Sequence, residues 1–250
     1  MHTFASLTAD LKRLGIRPDD TLLVHSSMRA LGSVDGGAET VLDALTTIVA
    51  DGLLLLPTHT WKDWNNRNGI FDPRTEASCV GILPELFRRR EGVIRSWHPT
   101  HSLAGCGADA AKYLAGEEHT RTPCPRHGCW GRLYDVGARI LFLGAPLRTN
   151  TYLHSVEEWH DIPDRLATSP TLFRIRTPDG TLLDCPQFRH SSSVGDVSQF
   201  YDKVEPELLY RGIAREGSVA DARSVLCEAP AMADLVGGHL RREVQYFTHR

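Results

Sequence analysis

Apolar positions in the first sixty residues follow two different periods. Phe4, Leu7, Leu11 and Leu14 recur at helical spacing and are followed by Gly15 and Arg17-Pro18, so the spacing predicts a helix over residues 4 to 14. Thr21-Leu22-Leu23-Val24-His25 and Leu53-Leu54-Leu55-Leu56-Pro57 are short continuous apolar runs, the pattern of strands buried on both faces. Between them, Val41, Leu45, Ile48 and Val49 share a helical face over Thr40 to Val49, and Asp51-Gly52 closes it. Strand, loop, helix and strand in that order build a parallel pair with a right-handed crossover.

The pattern continues with a predicted helix over residues 80 to 90 (Val80, Leu83, Leu86, Phe87) and a short strand at Val93-Ile94-Arg95-Ser96. Ala138 to Gly144 is the clearest later strand. After about residue 168 the chain turns Thr-rich and alternating. Thr171 to Thr177 and the run from Thr181 to Asp184 flank Pro178-Asp179-Gly180, a hairpin signal. A helical tail over Ala231 to Phe247 completes the reading. With no repeat, linker or low-complexity tract, the expected class is α/β. It would have a mixed central sheet flanked by helices, an antiparallel addition in the C-terminal third, and one domain over residues 1–250.

Composition narrows the function classes. The 250 residues are 41% hydrophobic, enough for a substantial core. A net charge of −3 with both signs interspersed leaves no basic footprint, so nucleic acid is not an expected partner. The apolar runs are too short to cross a bilayer, and Met1 to Leu7 lacks the order of a signal peptide, so a cytoplasmic protein with no membrane partner is expected. Six scattered cysteines then read as reduced thiols. Cys124, His127 and Cys129 invite a metal reading, but there is no C-x2-C knuckle and no second ligand pair. A turn with small buried thiols is the expectation, and no metal.

The candidate chemistry starts at Thr149 to Trp159, just beyond the Gly144 strand. If this segment is a helix, His154 and Glu157 lie on one face. A carboxylate bonded to one imidazole nitrogen fixes the tautomer and raises the basicity of the other, as a general base requires; the competing reading is a surface pair. Glu157, Glu158, Asp161 and Asp164 crowd the same stretch and predict an acidic rim that suits an amine, or else a solvated helix face.

Two further segments leave predicted strands. His25 to Gly37 is rich in hydroxyls and glycines. It could offer backbone and hydroxyl donors to a phosphate or pyrophosphate, or be an ordinary strand-to-helix loop. It is neither a Walker loop nor a dinucleotide fingerprint, and Ser26 and Ser27 lack a G-x-S-x-G elbow. His98-Pro99-Thr100-His101-Ser102 places two imidazoles and a hydroxyl beside a rigid His-Pro step; they would line a site or pack within the fold.

Taken in order, His25-Ser26-Ser27-x-Arg29-x-Leu31-Gly32 with Gly36-Gly37, Leu56-Pro57-Thr58, Phe71-Asp72-Pro73, Arg95-Ser96-x-His98-Pro99-x-x-Ser102, Leu143-Gly144 and Asn150-Thr151-x-Leu153-His154-x-x-Glu157 resemble the aminoglycoside 3-N-acetyltransferase family. This is the antibiotic N-acetyltransferase fold, distinct from the GNAT superfamily, and the resemblance spans roughly residues 5 to 250. The chain departs from the family at Thr122 to Leu133, where a Cys-Pro-Arg-His-Gly-Cys stretch stands in for a short Ser-Pro segment.

The resemblance implies acetyl transfer from acetyl-CoA to an amine, the 3-amino group of an aminoglycoside being the family's acceptor, without a metal or a covalent enzyme intermediate. It assigns His154 as the catalytic histidine and Glu157 as the glutamate that orients it. It assigns coenzyme A to the Ser26 to Val34 loop (Ser26, Ser27, Met28, Arg29, Leu31, Gly32, Val34) with Thr58, His98 and Ser102. A homodimer is compatible with it. Two rivals stand beside it: a hydrolase using Ser27 or Cys129 with a nearby histidine, and a catalytically silent protein that binds coenzyme A or an antibiotic. His190 has no role in any of these readings.

Overall fold

The computed structural model of the chain describes residues 1–62 and 69–249. A seven-stranded sheet forms its centre. Three parallel strands lie side by side in the middle: β2 (Leu53–Pro57), β1 (Thr21–Ser26) and β6 (Arg139–Leu143). Antiparallel strands extend both edges. β5 (Leu103–Gly107) and β4 (Ile94–Arg95) continue beyond β2, and β10 (Ala222–Glu228) and β9 (Ala214–Val219) continue beyond β6. A second sheet of three short strands holds β3 (Ile70–Phe71), β7 (Thr171–Arg176) and β8 (Leu182–Gln187). The mixed α/β class read from the sequence is the observed one. Its antiparallel addition is two separate features, the β7–β8 hairpin in the small sheet and the β9–β10 edge of the large one.

The central strands are buried on both faces because alternate residues feed two cores. Leu22, Val24, Leu54, Leu56, Leu141 and Leu143 face helices α1 (Phe4–Leu14), α2 (Gly37–Ile48) and α3 (Ile82–Phe87). Leu23, Leu55, Ile140 and Phe142 face α4 (Ala110–Leu114), α5 (Cys129–Asp135), α6 (Thr151–Trp159) and α8 (Ala229–Arg242). The remaining helix, α7 (Glu205–Tyr210), precedes β9. Among the described residues, no helix is long and apolar enough to cross a membrane.

Several elements are shorter than their periodicity suggests. The 80–90 helix is confined to Ile82–Phe87, and the C-terminal helix stops at Arg242 rather than Phe247. Phe247 is nonetheless fully buried, packed against Tyr201 with ring centroids 4.7 Å apart. Its apolar signal is tertiary and not helical.

β1, β2 and β6 are parallel, so their carboxyl ends lie at one edge of the sheet, where the following loops converge. Gly144, just past β6, sits at φ 65°, and a Cβ there would lie 2.6 Å from that of Ala30. Glycine thus lets the turn Met28–Leu31 after β1 pack directly against the end of β6. That packing holds the end of β1, from which His25 and Ser26 reach the site.

Candidate active site

A cavity of about 840 Å³ opens at this edge of the sheet. His25 and Ser26 reach it from the end of β1, Pro57 and His59 from the end of β2, and Asn150, Thr151 and His154 from the start of α6. The helix begins there for a local reason: the Asn150 side chain accepts a hydrogen bond from the Tyr152 N–H at 3.2 Å and caps the first turn. His154 and Glu157 then fall one turn apart on the same face.

The pair meets as the sequence spacing suggests, at ion-pair distance and with a third group bonded to both. His154 Nδ1 stands 3.7 Å from Glu157 Oε2, and the hydroxyl of Tyr201 sits against both atoms. Tyr201 donates to Glu157 Oε2 at 2.5 Å and lies 2.7 Å from His154 Nδ1. A phenol has one hydrogen; given to Glu157, it leaves the oxygen to accept from Nδ1–H, which frees Nε2 of His154 as the basic nitrogen. Arg165 closes the chain by donating Nε–H to Glu157 Oε1 at 2.5 Å. Burial pushes the Glu157 carboxyl up, but His154, Arg165 and Tyr201 together outweigh it and hold the group below the usual carboxylate range. Glu157 is an anion at neutral pH, buried and fully engaged.

Sequence spacing could not supply Tyr201. It lies in the short 3-10 helix Val197–Val204, and nothing near it in the chain marks it. The same holds for His59 and His190. Five imidazoles, His25, His59, His101, His154 and His190, line the cavity, with ring centroids 4.8 Å apart for His59–His101, 5.0 Å for His101–His190 and 4.3 Å for His154–His190. Burial pushes His25 down to about 3 and holds His59, His101 and His190 well below the ordinary imidazole value, assisted for these three by their neighbours' charge. These four imidazoles are therefore polar but uncharged at neutral pH.

The residues expected to hold coenzyme A separate into three groups. Ser26 lines the cavity, and Ser27, Met28, Arg29, Gly32 and Val34 form the half-buried to exposed turn and loop beside it. Leu31 belongs to the core. Thr58, His98 and Ser102 are fully buried with protein partners. The Thr58 and Ser102 hydroxyls lie 3.0 Å apart, and Arg95 Nε donates to Ser102 Oγ at 3.1 Å. His98 Nδ1 accepts from the His101 N–H at 2.9 Å, and its Nε2 lies 3.2 Å from the Thr122 carbonyl. These three side chains brace the wall from behind rather than form its surface.

The acidic rim is a misreading of the spacing. Glu157 and Glu158 are buried beneath the site, Asp164 is taken up by Ser192 and Ser193, and Asp161 is exposed but does not line the cavity. Among the described residues the cavity wall carries one carboxylate, Asp196, against Arg148, Arg165 and Arg189. Neither do Cys124, His127 and Cys129 assemble: His127 is exposed, while both thiols are buried. Cys129, a rival nucleophile, lies 3.5 Å from the Tyr113 carbonyl, and burial pushes its thiol well above the ordinary range, which disfavours the reactive thiolate.

The profile of the aminoglycoside 3-N-acetyltransferases matches residues 23–241. The chain belongs to this family. A relative from Streptomyces paromomycinus, aminoglycoside N(3)-acetyltransferase VII, is 32% identical over 93% of this chain and 89% of its own length. The crystal structure of aminoglycoside acetyltransferase AAC(3)-Xa superposes with a TM-score of 0.85 at 30% identity, covering 97% of this chain and 93% of the other. A structure described as AAC-IIIb binary with CoASH superposes at 0.83 with 28% identity, covering 96% of each chain. This member of the aminoglycoside 3-N-acetyltransferases is accordingly an acetyl-CoA-dependent N-acetyltransferase.

Proposed function

We propose that the protein acetylates an amino group of an aminoglycoside, the 3-amino group, by direct transfer from acetyl-CoA with His154 as general base. The observation that carries this reading is the wiring of one imidazole. His154 lines the cavity, and its Nδ1 is held by the Tyr201–Glu157–Arg165 chain, so Nε2 is the nitrogen left to take a proton. An acceptor that has reached its free-amine form must still lose a proton as it attacks the thioester, and a histidine fixed in this tautomer removes it without first reorienting. Asp196 supplies a carboxylate on the wall for a second ammonium of a polyamine acceptor.

Coenzyme A fits the edge beside Ser26. No side chain caps α2, whose N-cap residue Gly36 is at φ 71°; the Gly37 N–H donates to the Val34 carbonyl, and the next N–H groups of the first turn are left for phosphate oxygens. Acetyl-CoA supplies the activated acetyl thioester. The protein's part is to hold it, to place the amine, and to accept the amine proton at His154 Nε2.

Thiol release from acetyl-CoA, followed across a panel of aminoglycosides and simple amines, tests the acceptor. Turnover with aminoglycosides and a product acetylated at the 3-amino position by NMR is the expected result. Turnover confined to simple amines rejects it. Replacing Tyr201 by Phe tests the wiring: the ring still packs on Phe247, but the bridge is cut, and kcat should fall by about tenfold or more with coenzyme A affinity unchanged. An unaltered kcat would remove Tyr201 from the mechanism.

A further inference from the structure

Beside His154 a second cluster converges from three separate parts of the chain. Cys124 lies in the loop before α5, clamped between Pro123 and Pro125; Glu158 projects from α6; and His190 is pinned by an isolated bridge to Leu166. One ligand atom from each, a thiol sulfur, a carboxylate oxygen and an imidazole nitrogen, can be chosen so that all lie within 4.8 Å of one another. We propose that Cys124, Glu158 and His190 form a binding site for a divalent cation of the zinc class, open to the cavity at a fourth position.

Zinc prefers sulfur, nitrogen and oxygen donors at bond lengths that place tetrahedral ligands roughly 3.2–3.7 Å apart. His190 Nε2 and Glu158 Oε1 already stand 3.0 Å apart, so a shift of about 1 Å brings the set to that geometry. Charge fits as well. Binding releases to solvent the Cys124 thiol proton and any proton on the Glu158 carboxyl, which burial pushes up, and one thiolate with one carboxylate neutralises a dication, while the imidazole contributes no charge. A neutral cluster is what a buried position tolerates. Cys124 is fully buried and the Glu158 side chain is 6% exposed, whereas His190 lines the cavity and marks the side from which an ion enters.

The cluster also leaves Glu158 in an uneven position without a metal. Among the described residues its one ion-pair partner is His190, and the same oxygen, Oε1, receives both the Cys124 N–H and the His190 contact at 3.0 Å. A cation would take up this crowded oxygen. The ring of His190 stacks on His154 at 4.3 Å, so the ion would sit one ring away from the proposed base.

Titrating the purified protein with Co²⁺ tests the site independently of catalysis. The expected result is one equivalent bound, with a near-ultraviolet thiolate-to-cobalt charge-transfer band and tetrahedral visible absorption, both abolished by added Zn²⁺. Cys124→Ser and His190→Gln should each lose the charge-transfer band, and Cys79→Ser, outside the cluster, should keep it. His190→Gln decides the matter if Cys124→Ser fails to fold, since His190 is partly exposed. Absence of the band in the parent protein, or its persistence in a folded Cys124→Ser or His190→Gln variant, overturns the proposal.

Discussion

Replacing His154 by Ala should lower kcat by about a hundredfold or more and leave the dissociation constant of coenzyme A unchanged. The split between the two constants is the informative part. A general base acts in the transition state, so its loss appears in kcat, whereas a residue that merely bound the substrates would raise KM or Kd. The His154 side chain is 17% exposed at the cavity surface, so its removal admits water rather than opening a void in the core. Stopped-flow or steady-state thiol release with acetyl-CoA, beside calorimetric titration with coenzyme A, separates the effects. A kcat within threefold of the parent's would exclude His154 as the base.

Glu157→Ala should destabilise the fold by about 3–5 kcal/mol, the cost of leaving a buried partner charge uncompensated. Glu157 is 1% exposed and Arg165 4%, and the guanidinium has few alternatives beyond the carbonyls of Pro163 and Asp164. Urea unfolding measures the loss. Removing both charges together, as Glu157→Leu with Arg165→Met, should recover most of it, because the penalty belongs to the widowed cation and not to the missing bond. If Glu157→Ala costs less than about 1 kcal/mol, solvent reaches Arg165 and the pair behaves as a surface one.

What was legible in the sequence follows from how local each cause is. β1, β2 and β6 declare themselves because strands buried on both faces must be apolar throughout, and Pro178-Asp179-Gly180 marks a hairpin by its turn chemistry. β5, read as Leu103-Ala104-Gly105-Cys106-Gly107, hides because small residues let α4 and β2 approach closely; a Cβ on Gly105 would meet Leu55 at 2.7 Å. The β9–β10 hairpin hides for another reason. Its turn is Ala220-Asp221, with Ala220 at φ 53° stabilised by an N–H bond to Asp10 in α1, a tertiary cause that no local pattern carries.

The site divides along the same line. His154 and Glu157 were visible as a helical spacing within one element, but the hydroxyl that joins them comes from Tyr201, brought in by folding alone. The acidic stretch after His154 misled because charge along a sequence says nothing about which side chains turn inward; Glu157 and Glu158 both do. His98, Ser102 and Thr58 were flagged as a group and do lie together. Their polar atoms serve Arg95, the Thr122 carbonyl and one another.

The single hydrogen of the Tyr201 hydroxyl makes the bridge a ratchet for protons. With that hydrogen committed to Glu157, the phenol can receive from His154 but has nothing to pass back, so Nδ1 keeps its proton throughout the proposed cycle. A proton taken from the amine therefore enters and leaves by Nε2. An ammonium nitrogen sheds two protons on the way to an amide: one goes to solvent as the free amine forms, and the other, taken by Nε2 as the amine attacks, passes to the departing coenzyme A thiolate, which would return the histidine to its starting tautomer without any exchange through the protein interior.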